Sequence, residues 1–235
     1  MYLYEQKLAS LMSKIGKGLV DPVAYDTAWI ARVQKLDNPN EPEFPESLQW
    51  LRDNQLEDGS WGSKFPVNAH GNTLCTFSAL LALKYWNYEE DSERIQRGIS
   101  ALCQLAPLLK QEKYETIGFE LLLPTLVEAA QGHQWDLPYE IYKTYEQASK
   151  EKKVLLKKFQ EKVGFEVPSS WWFSLECQLA TNESIYTKAN ALLAGHSSVA
   201  GSPSATAYLL SVSVSVDWEL ASPASVFELV ISQPL

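Results

Sequence analysis

The 235-residue sequence is short of positive charge, of cysteine and of long apolar runs, and each shortage closes a class of function. Twenty Lys and Arg against 29 Asp and Glu leave a formal net charge of −9. Phosphate backbones are held by basic faces, so no nucleic-acid partner is expected. Cys75, Cys103 and Cys177 are widely spaced, with no CxxC and no Cys/His pairing at metal spacing. They read as buried, reduced thiols. No apolar run reaches the ~18 residues that a membrane span needs, so no span is expected. The opening MYLYEQKLASLMSKIGKGL has neither a signal-type apolar core nor an Arg/Ser-rich transit character, which points to a cytoplasmic protein.

Apolar and aromatic residues are plentiful. Hydrophobic residues make up 46% of the chain, enough for a substantial core in one large domain. Eight Trp, eleven Tyr and eight Phe are spread along the whole length. They supply core area first, and an aromatic pocket for an apolar or cationic ligand second.

The periodicity is helical almost throughout. Residues 3–18 set Leu3, Leu8, Leu11, Met12 and Ile15 on one face. Pro45-Glu46-Ser47 opens a helix carrying Leu48, Trp50 and Leu51, after a Pro-rich loop over 38–45. Asn72 or Thr73 is the expected cap of the nearly all-apolar TLCTFSALLALKYW helix. Ser92 starts another helix, with a Glu93–Arg97 pair expected on its outer face. YEIYKTYEQASKEKKVLLKKFQ reads as a solvated, lysine-rich helix pair, and Ser202-Pro203 opens a helix over SPSATAYLLSV. SVSVSV (211–216) alternates strictly and reads as an extended piece. His70, His133 and His196 fall between helices without a matched carboxylate, and read as surface or capping residues. Many short helices joined by short loops, the inner ones more apolar, favour an all-α toroid over a four-helix bundle.

Several blocks, in order, resemble the class II diterpene cyclases of the copalyl diphosphate synthase type. AYDTAWIARV (24–33) is similar to the family's AYDTAW opening, and SLQWLRDNQLEDGSWG (47–62) to its LQWI.NNQL.DGSWG block. NTLCTFSALLALKYWN (72–87), IGFELLLPTLVEAA (117–130), VPSSWWFSLE (167–176) and GSPSATAYLL (201–210) match further blocks, and SPASVFEL (222–229) is a weaker echo. The resemblance implies an α/α toroid of the terpenoid cyclase γ-domain type over residues 21–235, atypical at its C-terminus, with a leading helix over 1–20 packing on a β domain. Gln55, Gly59 and Trp61 form a QW-like motif of the kind that ties toroid helices together, and Glu57 and Asp58 take turn and cap roles there.

In the family, a carboxylic acid protonates a terminal double bond of geranylgeranyl diphosphate, and the carbocation closes rings in a dry aromatic cavity. The acid is the middle Asp of a D-x-D-D motif, and no such motif occurs among the Asp residues of this chain. The stretch before IGFE, acidic in the family and used for Mg2+ and diphosphate, here interleaves Lys110 and Lys113 with Glu112 and Glu115. Two ammonium groups work against Mg2+ ligation, so Mg2+ is expected for the family without ligands in this chain. Lys110, Glu112, Lys113 and Glu115 are the candidates for the diphosphate side. The family's terminal base, a His/Asn pair, falls at Phe173 and near Leu220, neither of which takes a proton. Trp171, Trp172, Phe173 and Ser174 are the pocket candidates. The implied function is the γ-domain part of a cyclase acting on a prenyl diphosphate, an isomerase-type reaction needing a β-domain partner and inactive from this chain alone. A non-catalytic prenyl-binding or scaffold toroid, or an inactive truncated fragment, is the alternative.

Overall fold

Burial of α3, Ala69–Trp86, organises the molecule: its residues from Asn72 to Leu83 are all buried. A helix apolar on every side satisfies its backbone internally and can sit inside a ring of other helices. The computed structural model describes residues 22–112, 116–164, 174–177, 199 and 201–213. Among them are α1 (Ala24–Ile30), α2 (Pro45–Asp53), α3, α4 (Ser92–Leu105), α5 (Phe119–Gln131), α6 (Tyr139–Tyr142), α7 (Glu146–Val163) and α8 (Pro203–Ser213). Short 3-10 turns cover Glu89–Asp91, Ala106–Gln111, Lys143–Tyr145 and Leu175–Cys177. α3 packs against α1, α4 and α5; α8 closes on α1, and α7 on α5.

Local signals account for most helix ends. Pro45 sits at the first position of α2, where its missing N–H has no intrahelical partner to lose, and Leu48 and Leu51 turn inward. Asn87 ends α3 in the left-handed conformation at φ 52°, with its N–H on the Leu83 carbonyl. Ser202 Oγ accepts from the Ala205 N–H, so Pro203 opens α8 as its spacing predicts.

Several expectations are corrected. The cap of α3 is Asn68, whose Oδ1 accepts from Gly71 N at 2.7 Å, so the helix starts one turn early. Asn72 is thereby inside the helix, where its amide bridges the backbone N–H and carbonyl of Ser63. His70 is helical too, and its ring stacks on Phe119 at 3.9 Å between centroids. No Glu93–Arg97 pair forms, because Arg97 Nη2 reaches the carbonyls of Leu56 and Glu57 at 3.0 and 3.2 Å. The predicted lysine-rich helix pair is one turn of helix, α6, running through a 3-10 turn into the single long α7.

Ser211–Ser213, read as extended, continue α8. Ser211 Oγ bonds back to Tyr208 O at 2.7 Å, so a capped helix overrides a short alternation; the remainder of 211–216 lies outside the described residues. All three thiols are free, but Cys103 is exposed rather than buried. The leading helix over 1–20 and His196 lie outside the described residues.

Candidate functional site

Two constructions position the motif residues. The first is the turn after α2. Gln55 Nε2 donates to the carbonyls of Gly59 and Arg94, both at 2.9 Å, which ties the turn to α4. Asp58 Oδ1 takes the N–H and hydroxyl of Ser60 at 2.9 and 2.7 Å, a turn role. Gly59 sits at φ +87°, and a Cβ there would lie 2.6 Å from the Arg97 carbonyl oxygen. Only glycine meets both demands without strain. Trp61 is fully buried, its Nε1 donating to Leu51 O at 2.7 Å and its backbone N–H to Thr76 Oγ1 at 3.0 Å. Gly98 of α4 makes room for the ring: a Cβ there would lie 3.1 Å from it. The polar contacts here tie backbone and turn together, with the Asp58 carboxylate closing its own turn, and none is arranged for chemistry.

The second construction is a buried carboxylate. Leu175–Cys177 forms a 3-10 turn, opened by Ser174, whose carbonyl accepts from Cys177 N at 3.0 Å. Glu176, only 2% exposed, is held between α1 and α8. Its Oε1 accepts from Tyr25 Oη at 3.0 Å and from Ser204 Oγ at 3.2 Å, while Oε2 has no partner among the described residues. A buried anion with one bare oxygen is disfavoured, so burial pushes the carboxyl from its ordinary 4.5 up to about 7. Asp26 lies beside it, taking the Ser204 N–H at 3.3 Å, and burial raises its carboxyl as well. The Tyr25 phenol is pushed up by burial and by the neighbouring Glu176. Just past the end of α1, Arg32 lies 4.1 Å over the Trp29 ring and donates to Ser78 O at 3.3 Å. Burial lowers its guanidinium to about 10.

Glu176 thus joins three segments distant in sequence: AYDTAW on α1, SLE in the 3-10 turn and SPSATA on α8. The sequence reading singled out none of Tyr25, Asp26, Arg32, Glu176 or Ser204 as a site residue. The available signal was their position inside three quoted blocks, each with a polar residue in an apolar setting.

Among the candidate site residues, Ser174 is half-buried at the start of the Glu176 turn. Trp171, Trp172, Phe173 and Leu220 lie outside the described residues, as do Lys113 and Glu115. Lys110 is exposed at the end of the Ala106–Gln111 turn. Glu112 Oε2 accepts from the Ala69 N–H at 2.9 Å, a second cap on α3. Among the described residues no three carboxylates, histidines or thiols gather. Mg2+ needs several hard oxygens in a near-octahedral set. A carboxylate committed to a helix N-terminus beside an exposed ammonium does not fit it.

An all-helical chain built on one buried central helix, with ring helices tied by a Gln-Gly-Trp turn, defines a protein of the α/α toroid class found in terpene cyclases. The chain is homologous to diterpene synthases and corresponds to a portion of a class II diterpene cyclase. It is 31% identical over 172 residues to a bifunctional levopimaradiene synthase of Pinus banksiana, covering 72% of this chain and 20% of that protein. It is 33% identical over 181 residues to an isopimaradiene synthase of Picea sitchensis, covering 73% of this chain and 20% of that one. Both relatives are chloroplastic by name. The chain spans about a fifth of these curated relatives (20%). Among solved structures it superposes on ent-copalyl diphosphate synthase from Arabidopsis thaliana with a TM-score of 0.77 and 26% identity, over 96% of this chain and 31% of that one. Against abietadiene synthase from Abies grandis the TM-score is 0.74 with 29% identity, over 88% and 28% of the two chains. No protein-family model matches. No helix of the described residues is long and apolar enough to cross a membrane.

Proposed function

We propose that this chain is the γ-type helical domain of a class II diterpene cyclase-like assembly acting on a prenyl diphosphate such as geranylgeranyl diphosphate. The observation that carries the proposal is the superposition on ent-copalyl diphosphate synthase over 96% of the chain. These 235 residues hold no D-x-D-D motif, so the acid that starts the reaction comes from a β domain, in the same polypeptide or in a partner. This chain supplies cavity wall. Wall residues exclude water and present ring faces to the cation. Trp171, Trp172, Phe173 and Ser174 take that part, immediately ahead of the turn that Glu176 anchors.

Glu176 is a positioning residue in this reading: it holds the turn against α1 and α8 and fixes where the preceding wall segment ends. Lys110 and Lys113 face the diphosphate in place of a metal cluster, and no step on this chain runs through Mg2+. Phe173, standing where the family has a histidine, removes the usual proton acceptor, so the cation is quenched by water or by a base of the partner domain. The cytoplasm is the proposed compartment for this chain.

The test is to mix the purified chain with a D-x-D-D domain polypeptide, geranylgeranyl diphosphate and Mg2+, and to look for a bicyclic diphosphate. A product that needs both polypeptides is expected. Lack of product from the mixture overturns the reading. If thermal melts still rise with prenyl diphosphate, the chain is then a binding toroid without turnover.

A further inference from the structure

We infer that α7 is a docking face for an anionic lipid surface. In a chain of net charge −9, the eighteen residues Glu146–Val163 carry six lysines against three glutamates. Lys152 is held by Glu120 at 2.9 Å, and none of the other five forms an ion pair among the described residues. Apolar side chains stand out among them: Leu155 is 63% exposed, and Val154 and Phe159 are each 52% exposed. Leu155 and Phe159 are i,i+4 neighbours and meet on one face of the helix. Lys152 and Lys158 lie three residues on either side of Leu155, and Lys162 lies three beyond Phe159. Ammonium groups thus flank the apolar pair, with the Glu151 carboxylate four residues before Leu155. Ser149 and Gln160, buried on the opposite side, turn this face outward. Ile117, 98% exposed, stands three residues before the Glu120 that holds Lys152, close to the same frame.

Charge complementarity selects the occupant. Lysines can lay their methylenes beside the apolar pair and keep their ammonium groups at the level of lipid phosphates. Leu and Phe side chains enter the headgroup boundary while the helix lies in the plane of the surface. The face is a protruding ridge rather than a groove, which suits a flat, deformable partner. The acidic remainder of the chain is repelled by the same surface and sets the orientation. The inference stands independently of the cyclase reading, since it uses no property of the cavity.

The experiment is vesicle co-sedimentation of the full chain. Phosphatidylcholine vesicles are compared with vesicles of equal parts phosphatidylcholine and phosphatidylglycerol, at low and at raised salt. Binding to the anionic vesicles alone is expected, falling roughly tenfold or more as salt screens the lysines. Lys157→Glu with Lys158→Glu and Lys162→Glu should abolish it, and Leu155→Ser with Phe159→Ser should weaken it roughly tenfold, with far-UV dichroism unchanged in both. Phe65→Ser, at a 92% exposed site in the loop before α3, should leave binding as it was. No sedimentation with anionic vesicles overturns the inference and leaves the face to an acidic protein partner. Equal binding to neutral vesicles, or loss in Phe65→Ser alone, overturns it too. Dimers that vanish in the Leu155→Ser, Phe159→Ser variant assign the face instead to a second copy of the chain.

Discussion

The turn after α2 and the clasp around Glu176 both tie distant helices together, yet they do so with opposite chemistry. Around Gln55 and Trp61 the ties are amide and indole donors on backbone carbonyls, with a large ring filling the space between α2, α3 and α4. Around Glu176 the tie is an ionisable group, buried, with one oxygen bare. Neutral ties keep their strength over a wide pH range, whereas a buried carboxyl binds strongly only in the protonation state that its surroundings accept. One junction is therefore rigid by packing, and the other depends on a proton.

Four experiments break or sharpen that contrast. Trp61→Ala empties a fully buried ring site and orphans the Leu51 carbonyl; urea unfolding should show a loss of about 3–5 kcal/mol. Gly59→Ala places a methyl against the Arg97 carbonyl at a positive φ; the same measurement should show a loss of about 2–4 kcal/mol, independent of pH.

The Glu176 junction should respond to pH instead. The folded carboxyl titrates at about 7 against an ordinary 4.5, so the folded state binds more protons than the unfolded one across that window. Stability is then full below the lower value and falls as pH rises towards the upper one, and the raised Asp26 carboxyl adds to the same trend. Melts recorded between these limits should show that fall in the native protein, of order 1–3 kcal/mol, and a much shallower one, left by Asp26, in Glu176→Gln. A slope undiminished in the variant would remove the Glu176 proton from this junction. Smallest is Asn68→Ala, which deletes the cap of α3; about 1 kcal/mol is expected, in contrast to no measurable effect from Thr73→Val if Thr73 is not a cap.

How much of this was legible in the sequence differs between the two regions. The Gln-Gly-Trp turn is local: Gln55, Gly59 and Trp61 lie within seven residues, and the demand for glycine follows from a break between two helical patterns. Its carbonyl partner on α4, that of Arg94, carries no sequence signature, because any residue supplies a carbonyl. The Glu176 junction joins residues 25, 176 and 204, so no window of the sequence contains it. The cap of α3 was missed for a simpler reason. Asn68 precedes Ala-His-Gly, a weak helical start, and only packing against Glu112 and Phe119 lets the helix begin there. The same packing explains why Glu112 is a cap rather than a metal ligand.

By itself the sequence determined the helical class, the central buried helix, the order of the blocks and the lack of the acid motif, since these follow from periodicity, hydrophobic pattern and residue identity within short windows. The tertiary structure alone decided where polar side chains spend their hydrogen bonds. It put Glu176 between Tyr25 and Ser204, set Glu112 on the first N–H of α3, and left Leu155 and Phe159 uncovered among lysines. The physical reason is that desolvation and pairing depend on which helices meet, and that is a property of the packed chain.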